Sequence, residues 1–248
     1  MTQDYFGASD PESRRDDVEI SPATSAQQIR QTIEDFYTYF DTFTDDRRQN
    51  PRDDLMTIIA NAQVDGQPIS KLHANGYYIA IATAGHDTTS STTATIMKVL
   101  IERPDVLEQV RADPSLISNL IDEGLRWYTP VFHFMRTAAE DTELRGRPIR
   151  KGDRLMLCYP SANRDEEVFD RPFEFDIMRK PNRHMSFGNG PHMCIGQHLA
   201  KLEIKILLEE LLPRIESAEL TGAPRYVETN FVGGMKSMPV RLKIRKSS

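Results

Sequence analysis

The densest group of potentially reactive side chains lies in residues 182–204, NRHMSFGNGPHMCIGQHLAKLEI. This stretch holds one cysteine, Cys194, directly before a segment with helical periodicity. The first N–H groups of a helix are unpaired and its dipole is positive at that end, and both properties favour a thiolate over a thiol. Gly188, Gly190 and Gly196 flank the cysteine, and glycines let a backbone approach a large group closely. The pattern therefore suits a thiolate that binds a soft metal.

Two other interpretations of this stretch stay open on the residues alone. A lone cysteine is most often a small buried apolar residue without a chemical role. A zinc site here would lack the paired C-x-x-C or H-x3–5-H spacing of ordinary zinc sites. Its ligands would be His184, His192, Cys194 and His198.

A second candidate for chemistry is the threonine-rich sequence IATAGHDTTSSTTAT, in the middle of a long helical pattern. A threonine inside a helix can return its hydroxyl to the carbonyl four residues earlier, which for Thr88 is that of Ala84. Such a bond beside Gly85 can open the helix locally and admit water or a ligand. Asp87 next to Thr88 places an acid beside an alcohol, the two parts of a proton relay. A threonine-rich face packed in a core is the alternative.

Composition and charge narrow the class of protein. The 248 residues suffice for one large domain or two small ones, and 39% apolar with 27% charged residues is ordinary for globular proteins. The formal net charge of −6 argues against nucleic acid as the main partner. Two distant cysteines and a start without a signal-peptide pattern predict a cytoplasmic protein. No apolar run approaches the ~20 residues of a membrane span, which predicts no membrane partner.

Helical periodicity dominates the elements that must position these residues. Glycine- and proline-broken runs over 137–160 and 219–246 predict strands and turns, with Cys158 as a small buried residue in one strand. The fold class is therefore mainly α with minor β. The first expected helix ends before Pro51, and the second covers 52–64. The third covers about 71–103, with Ser70 as N-cap and a stop at Pro104, and two more cover 104–112 and 115–128. The last runs from the cysteine to Pro213, with Ala200, Ile204, Leu207, Leu208 and Leu211 on its buried face.

Three motifs together resemble those of the cytochrome P-450 family of haem-thiolate monooxygenases. The run from Phe187 to Gly196, FGNGPHMCIG, is similar to the family's haem-binding signature. AGHDTT, which includes Asp87 and Thr88, is similar to its oxygen-activation motif, and Glu123-x-x-Arg126 is similar to its E-x-x-R motif. The motifs stand in the family's order, and the likeness covers nearly the whole chain.

The resemblance implies haem b as the cofactor, with Cys194 as the axial ligand of its iron. It implies that His192 meets a haem propionate, with Arg136 as the other candidate for that role. The further cofactor contacts that it implies are those of Ala84, Gly85, Phe187, Gly188 and Gly196.

The resemblance also assigns catalytic and structural roles. It makes Asp87 and Thr88 catalytic, as the groups that deliver protons to the distal oxygen. It makes Glu123 and Arg126 a buried structural pair, tied to an arginine in the loop before the cysteine. Because Glu174 stands where many members place that arginine, Arg179 or Arg183 must serve, and Arg179 is favoured.

The implied activity is the O2- and electron-dependent hydroxylation of a small apolar substrate, terpene-like or aromatic. The implied partners are O2 and a ferredoxin-type electron donor with its reductase. His198, Lys201 and Lys205 are either a basic patch for an acidic ferredoxin or a solvated helix face. The residues that the resemblance turns toward substrate are Ile81, Val131, Phe132, Phe134, Phe231 and Val232.

Measured against the family, residues 1–248 are expected to be the C-terminal portion of a single cytochrome P-450 domain. The oxygen-activation helix is expected at about 71–103 and the haem-binding cysteine loop at about 184–196. The family's N-terminal sheet and first helices are expected to have no counterpart in these residues. An alternative to an active monooxygenase is therefore a non-catalytic remnant with impaired haem binding.

Overall fold

The computed structural model describes residues 5, 6, 8, 10, 12 and 21–245. Contacts between residues divide the chain into two compact units. The first unit is Met1–Asp87 with Val227–Thr229, and the second is Thr88–Tyr226 with Asn230–Ser248. In the part of the chain that the structure describes, no helix is long and apolar enough to cross a bilayer.

The first unit is built on helix α1 (Pro22–Gln49) and the shorter α2 (Leu55–Ala60). Helix α1 begins with a capping box, in which the Ser21 hydroxyl accepts from the Thr24 N–H at 3.2 Å and the Thr24 hydroxyl accepts from the Ser21 N–H at 2.9 Å. Its buried face carries two phenylalanines that stack with ring centroids 6.0 Å apart. The core of the unit consists of Phe36, Phe40, Ile59, Ile69, Ala74 and Tyr78.

The helix predicted over 52–64 is shorter than expected. Only α2 is helical, and a hairpin of β1 (Gln63–Val64) and β2 (Gln67–Pro68) follows it. Asp65 and Gly66 connect the strands with φ of 52° and 74°. Two consecutive positive φ values make the turn that a two-residue hairpin needs, and this turn stops the helical pattern.

Helix α3 (Lys71–Glu102) has nearly the predicted bounds. The Ser70 hydroxyl accepts from the His73 N–H at 3.2 Å, as expected of an N-cap. Threonine hydroxyls do return to carbonyls four residues earlier, from Thr92 to Thr88 and from Thr93 to Thr89, each at 2.9 Å. The helix nevertheless continues through Gly85 without a break. The bond predicted from Thr88 to Ala84 stays a prediction.

The second unit contains the rest of α3 with α4 (Pro104–Ala112), a 3-10 turn (Pro114–Leu116), α5 (Ile117–Tyr128), the single turn α6 (Tyr159–Ala162) and α7 (Gln197–Leu211). A Cβ on Gly124 of α5 would lie 2.5 Å from Cγ1 of Ile96 on α3, so glycine lets these helices approach. The core of the unit includes Ile96, Leu100, Leu120, Ile121, Ile204, Leu208 and Ile215.

Strands of the second unit form antiparallel pairs: β3 (His133–Thr137) with β6 (Arg154–Cys158), β4 (Thr142–Leu144) with β5 (Arg147–Ile149), β7 (Ile215–Leu220) with β10 (Val240–Ile244), and β8 (Arg225–Tyr226) with β9 (Met235–Ser237). The predicted class, mainly α with minor β, is confirmed. Cys158 is exposed, so the prediction of a buried cysteine was wrong. The β3–β6 pair is a two-stranded sheet, and exposed Met135 and Met156 show how little covers it.

Helix α7 carries apolar residues on more than one side. Ile204 and Leu208 are buried, as predicted. Leu207, which was expected on the same face, is 44% exposed, and that prediction was wrong. Other apolar residues of α7 and of the segment just before it are exposed as well, namely Met193, Ile195, Leu199, Leu202 and Ile206.

Candidate functional site

The loop over residues 184–196 presents Cys194 at the surface of the second unit. The Cys194 N–H donates to the Phe187 carbonyl at 2.8 Å, and the Gly188 N–H donates to the Met185 carbonyl at 2.8 Å. These two bonds fold the loop back on itself. Cys194 is exposed, and α7 begins three residues later with no side chain capping its first turn. The helix therefore leaves its positive end close to the thiol.

Two glycines of this loop are required by the backbone. Gly188 and Gly190 have φ of 70° and 73°, in the left-handed region that other residues avoid. A Cβ on Gly188 would also lie 3.4 Å from the hydroxyl of the buried Tyr159. Gly196 is different, because a Cβ there would meet the Cys194 Sγ at 3.9 Å, an ordinary contact distance.

A fully buried ion pair lies behind the loop. Glu123 and Arg126 both stand on α5 with side chains 0% exposed. Arg126 Nε and Nη2 donate to the two carboxylate oxygens of Glu123, each at 2.7 Å. Its other N–H groups donate to the carbonyls of Asn163, Pro172 and Glu174 at 2.8–3.0 Å. All five guanidinium donors are thus satisfied, which a buried arginine needs.

The structure places Arg179, rather than Arg183, against this pair. Arg179 Nε lies 3.3 Å from Glu123 Oε2, and its side chain is 7% exposed, whereas Arg183 is exposed. Arg179 also donates to the Asp170, Arg171 and Glu174 carbonyls. The Glu174 side chain turns away to Arg171, so this position contributes its backbone alone to the pair.

A second charge cluster joins α5, the loop and α7. The Asp122 carboxylate lies 2.6 Å from Lys201 Nζ and 3.4 Å from His184 Nε2. Burial by itself would raise the pKa of Asp122, but hydrogen bonds from His184 and Lys201 outweigh it, and the pKa is lowered. Lys201 Nζ also stands 5.6 Å from the centroid of the Phe187 ring. His184 and Lys201 therefore have structural contacts of their own.

The predicted proton-relay residues lie on α3. Asp87 Oδ1 is 2.7 Å from His86 Nδ1, with side-chain exposures of 16% for Asp87 and 58% for His86. Thr88 is half-buried, while Ala84, Gly85 and Ile81 are exposed. Among the residues that the structure describes, no atom lies within 4 Å of a Cβ placed on Gly85.

Five of the six residues predicted to face substrate come together in the second unit. The Phe132 N–H donates to the Phe231 carbonyl at 2.8 Å, and Val131 forms an isolated β-bridge with Val232. The rings of Phe134 and Phe231 meet edge to face at 5.6 Å. Ile81, the sixth, belongs to the first unit.

The two predicted propionate partners are placed differently. His192 is exposed at the end of the 3-10 turn Gly190–His192 in the cysteine loop. Arg136 is half-buried in β3, where its Nη1 donates to the Met135 carbonyl at 2.9 Å.

Sequence reasoning missed the amide side chains that join these elements. Asn182 Nδ2 donates to Glu123 Oε2 at 3.0 Å, and the fully buried Asn163 bonds to Thr129 and to the cysteine loop. Asn163 belongs to SANRDEEVF, a stretch outside the three motifs that carried the resemblance. No local pattern would have identified it, because its partners are 22–37 residues away.

Comparison with known proteins defines the class of this chain. The family model for cytochrome P-450 matches residues 21–243. The chain belongs to the cytochrome P-450 family, as its motifs predicted.

Among individual relatives, cytochrome P-450-terp of a Pseudomonas species is 54% identical over 97% of this chain and 56% of its own length. Linalool 8-monooxygenase of Pseudomonas putida is 33% identical over 97% of this chain and 57% of its own length. A Mycobacterium marinum cytochrome P-450 solved in complex with pseudoionone matches with a TM-score of 0.89 and 32% identity, over 96% of this chain and 56% of its own. The chain thus spans a little over half the length of these relatives.

The residues of the second unit fit the haem-thiolate cofactor that the family implies. Haem iron of this type needs one thiolate, and Cys194 is presented at the surface with its N–H already bonded inside the loop. The porphyrin needs a flat apolar neighbourhood, and exposed Met193 and Ile195 flank the cysteine. Among the residues that the structure describes, no three His, Cys, Asp or Glu side chains gather into a metal-binding group, so the donor set suits a single-ligand cofactor better than zinc.

Proposed function

We propose that this chain carries the cysteine-ligand portion of a haem-thiolate monooxygenase that hydroxylates a small apolar substrate with O2 and two electrons. One observation carries the proposal, namely the exposed Cys194 in a glycine-bounded loop at the start of α7. Family membership supplies the expectation of haem, and the identity of that haem as haem b belongs to the proposal.

In this proposal Cys194 would supply the thiolate that holds the haem iron as its axial ligand, and the glycines of the loop would leave room for the cofactor. When bound, thiolate-ligated haem supplies the activation of O2 and the transfer of one oxygen atom to a C–H bond. His192 and Arg136 would hold the haem propionates, because they are the groups that the family pattern assigns to this role. Phe187 supports the cysteine loop, because its ring packs against the core of the second unit.

Proton delivery is assigned to Asp87 and Thr88. The Asp87 carboxylate lies next to His86, which holds one of its oxygens in place. A carboxylate of low exposure beside a hydroxyl can pass protons from solvent toward a bound ligand. Ala84 and Gly85 would leave the face of α3 clear for cofactor and O2, because neither has a side chain larger than a methyl group.

Substrate contact is assigned to the apolar residues gathered around the Val131–Val232 bridge, and in the first unit to Ile81. The gathered side chains are aliphatic or aromatic, which favours a terpene-like or aromatic hydrocarbon. Relatives agree with this class, since one is named linalool 8-monooxygenase and another was solved with pseudoionone.

Electrons would come from a ferredoxin-type protein with its reductase in the cytoplasm. A basic docking patch on α7 is weaker than the sequence suggested, because Lys201 is committed to Asp122 at 2.6 Å and Lys205 lies 3.7 Å from Glu209. Paired lysines present less net positive charge to an acidic partner. His198, which is exposed, is the remaining member of that patch.

The test of the proposal is the spectrum of the haem-loaded chain, reduced and exposed to carbon monoxide. A strongly red-shifted Soret band is expected for thiolate ligation, and Cys194→Ser should abolish it. Cys158→Ser is the matched control, because Cys158 is the only other cysteine and is also exposed. Protein expressed with ample haem that shows no Soret band, or a shifted band that survives Cys194→Ser, would refute the assignment.

A second proposal is that the chain alone turns over no substrate. The observation that favours it is a row of exposed apolar residues along one side of α7 and the segment just before it, namely Ile195, Leu199, Leu202 and Ile206. Such a surface on an isolated chain promotes association or incomplete folding. Sedimentation and urea unfolding of the 248-residue chain decide the matter, because a compact monomer with one cooperative transition would argue against it.

A further inference from the structure

Asn163 occupies a fully buried position between α5 and the cysteine loop. Its Oδ1 accepts from the Met185 N–H at 2.6 Å. Its Nδ2 donates to the Ser186 hydroxyl at 2.9 Å and to the Thr129 hydroxyl at 2.7 Å. Its own carbonyl accepts from Arg126 at 3.0 Å. One side chain therefore bonds two consecutive residues of the loop and the end of α5.

The orientation of this amide is determined by its neighbours. The Met185 N–H can only donate, so the atom facing it must be the amide oxygen. The Ser186 hydroxyl donates to the Leu125 carbonyl at 2.8 Å, and the Thr129 hydroxyl donates to the Arg126 carbonyl at 3.0 Å. Both hydroxyl protons are thereby used, and each oxygen is left as an acceptor for Nδ2. No other side chain of the same size provides this set of one acceptor and two donors.

The contact continues to the cysteine through the backbone. Met185, which Asn163 holds by its N–H, accepts from Gly188 through its carbonyl at 2.8 Å. Phe187, which follows the anchored Ser186, accepts from the Cys194 N–H at 2.8 Å. The path from the amide of Asn163 to the backbone of Cys194 thus contains two hydrogen bonds and two intervening residues, Ser186 and Phe187.

We propose that Asn163 is a positioning residue that fixes the backbone of the cysteine loop and thereby the direction in which Cys194 is presented. It transmits the rigidity of the buried Glu123–Arg126 pair, because Arg126 holds the Asn163 carbonyl while the Asn163 amide holds the loop. The purpose of this positioning, to present Cys194 to haem, rests on the proposed function. The anchoring of the loop by Asn163 does not depend on it.

The variant that tests this role is Asn163→Asp, which keeps the size of the side chain and removes both N–H donors. Hydrogen–deuterium exchange of the 248-residue chain reports the loop directly. We expect the peptide covering residues 183–196 to exchange about tenfold faster or more, because the lost bonds let the loop open. The peptide covering α7, residues 197–211, should exchange at its original rate. Asn119→Asp, on a half-buried asparagine of α5, is the matched control and should change neither peptide.

Ser186→Ala provides a second variant without a buried negative charge. It removes one acceptor of Asn163 and should accelerate exchange of the same loop by a smaller factor. The effects of the two substitutions should fall short of additive, since they remove the same bond. Unchanged loop exchange in both variants overturns the proposal, as does equal acceleration in the loop and α7, which would show general destabilisation.

The haem spectrum separates this proposal from the proposed function. In Asn163→Asp, the share of the reduced carbon-monoxide complex with the shifted Soret band should fall while the haem content stays the same. If the unmodified chain shows no shifted band, the proposed function fails, and the exchange rates still decide whether Asn163 anchors the loop.

Discussion

Replacing Glu123 with glutamine tests whether the buried ion pair holds the second unit together. Five N–H donors converge on this carboxylate: two from Arg126, and one each from Arg179, Asn182 and the Asp176 backbone. Glutamine keeps the shape but replaces one acceptor oxygen with a donor. It also leaves the charge of Arg126, whose side chain is 0% exposed, without its carboxylate.

The size of the effect follows from burial. Breaking a buried ion pair by removing one partner costs about 3–5 kcal/mol, because the remaining charge stays desolvated. A domain is stable by only ~5–15 kcal/mol, so Glu123→Gln should remove a large share of the free energy of unfolding. The chain supplies a matched control in Glu108→Gln. Glu108 and Arg111 have the same three-residue spacing and the same 2.7 Å contact, but Glu108 is 69% exposed, so its loss should have far less effect.

Urea unfolding followed by tryptophan fluorescence measures both variants. Trp127 is the only tryptophan in the chain, and its ring lies 5.8 Å from the Arg126 guanidinium carbon, so the signal reports this region. We expect Glu123→Gln to lower the urea midpoint strongly with an unchanged slope. If Glu123→Gln and Glu108→Gln shift the midpoint equally, burial of the pair does not set its contribution, and the reasoning fails.

Three further substitutions test packing, charge and backbone. Gly124→Ala places a Cβ 2.5 Å from Cγ1 of Ile96 and should cost about 1–3 kcal/mol in urea unfolding. The same substitution should cost much less in an Ile96→Ala background, which lacks Cγ1, and an equal cost in both backgrounds would show that the contact is not the cause. The lowered pKa of Asp122 means that its contribution to stability is present above its ordinary value of 3.8 and is lost as pH falls through the folded-state pKa. Asp122→Asn should therefore flatten the loss of stability below about pH 4 in acid titrations, and an unchanged acid profile would contradict this. Gly188→Ala should destabilise the cysteine loop by about 1–2 kcal/mol because its φ is 70°, whereas equal thermal stability with the parent chain would show that the loop tolerates a side chain.

The sequence predicted best where the information is local. The bounds of α3 followed from Ser70 and Pro104, which stand at its two ends. The three-residue spacing of Glu123 and Arg126 placed them on one helix face, and the structure adds that this face is buried. The assignment of a haem-binding cysteine needed the family likeness, because residue types alone left a buried thiol and a zinc site open.

Prediction was poorer where neighbours distant in the chain decide the outcome. Cys158 lies in a run that reads as a buried strand, but its sheet has two strands, and the cysteine stays exposed. The spacing of Leu207 places it on the apolar face of α7, yet its side chain is exposed while Ile204 and Leu208 are buried in the core. Asn163 was overlooked because its three contacts arise only once α5 and the loop are brought together.

Two properties of the second unit bear differently on a bound cofactor. The conformation of the cysteine loop depends on Glu123, Arg126 and Asn163, which are all fully buried within that unit. The retention of an apolar cofactor depends instead on how much apolar surface encloses it, and the two residues next to the cysteine in the sequence, Met193 and Ile195, are 51% and 99% exposed. The type of iron ligation and the affinity for haem should therefore be separable in this chain. Any haem that binds should therefore be ligated by the Cys194 thiolate, because the buried residues Glu123, Arg126 and Asn163 position the loop that carries it. This should hold even where poor enclosure makes the affinity for haem low.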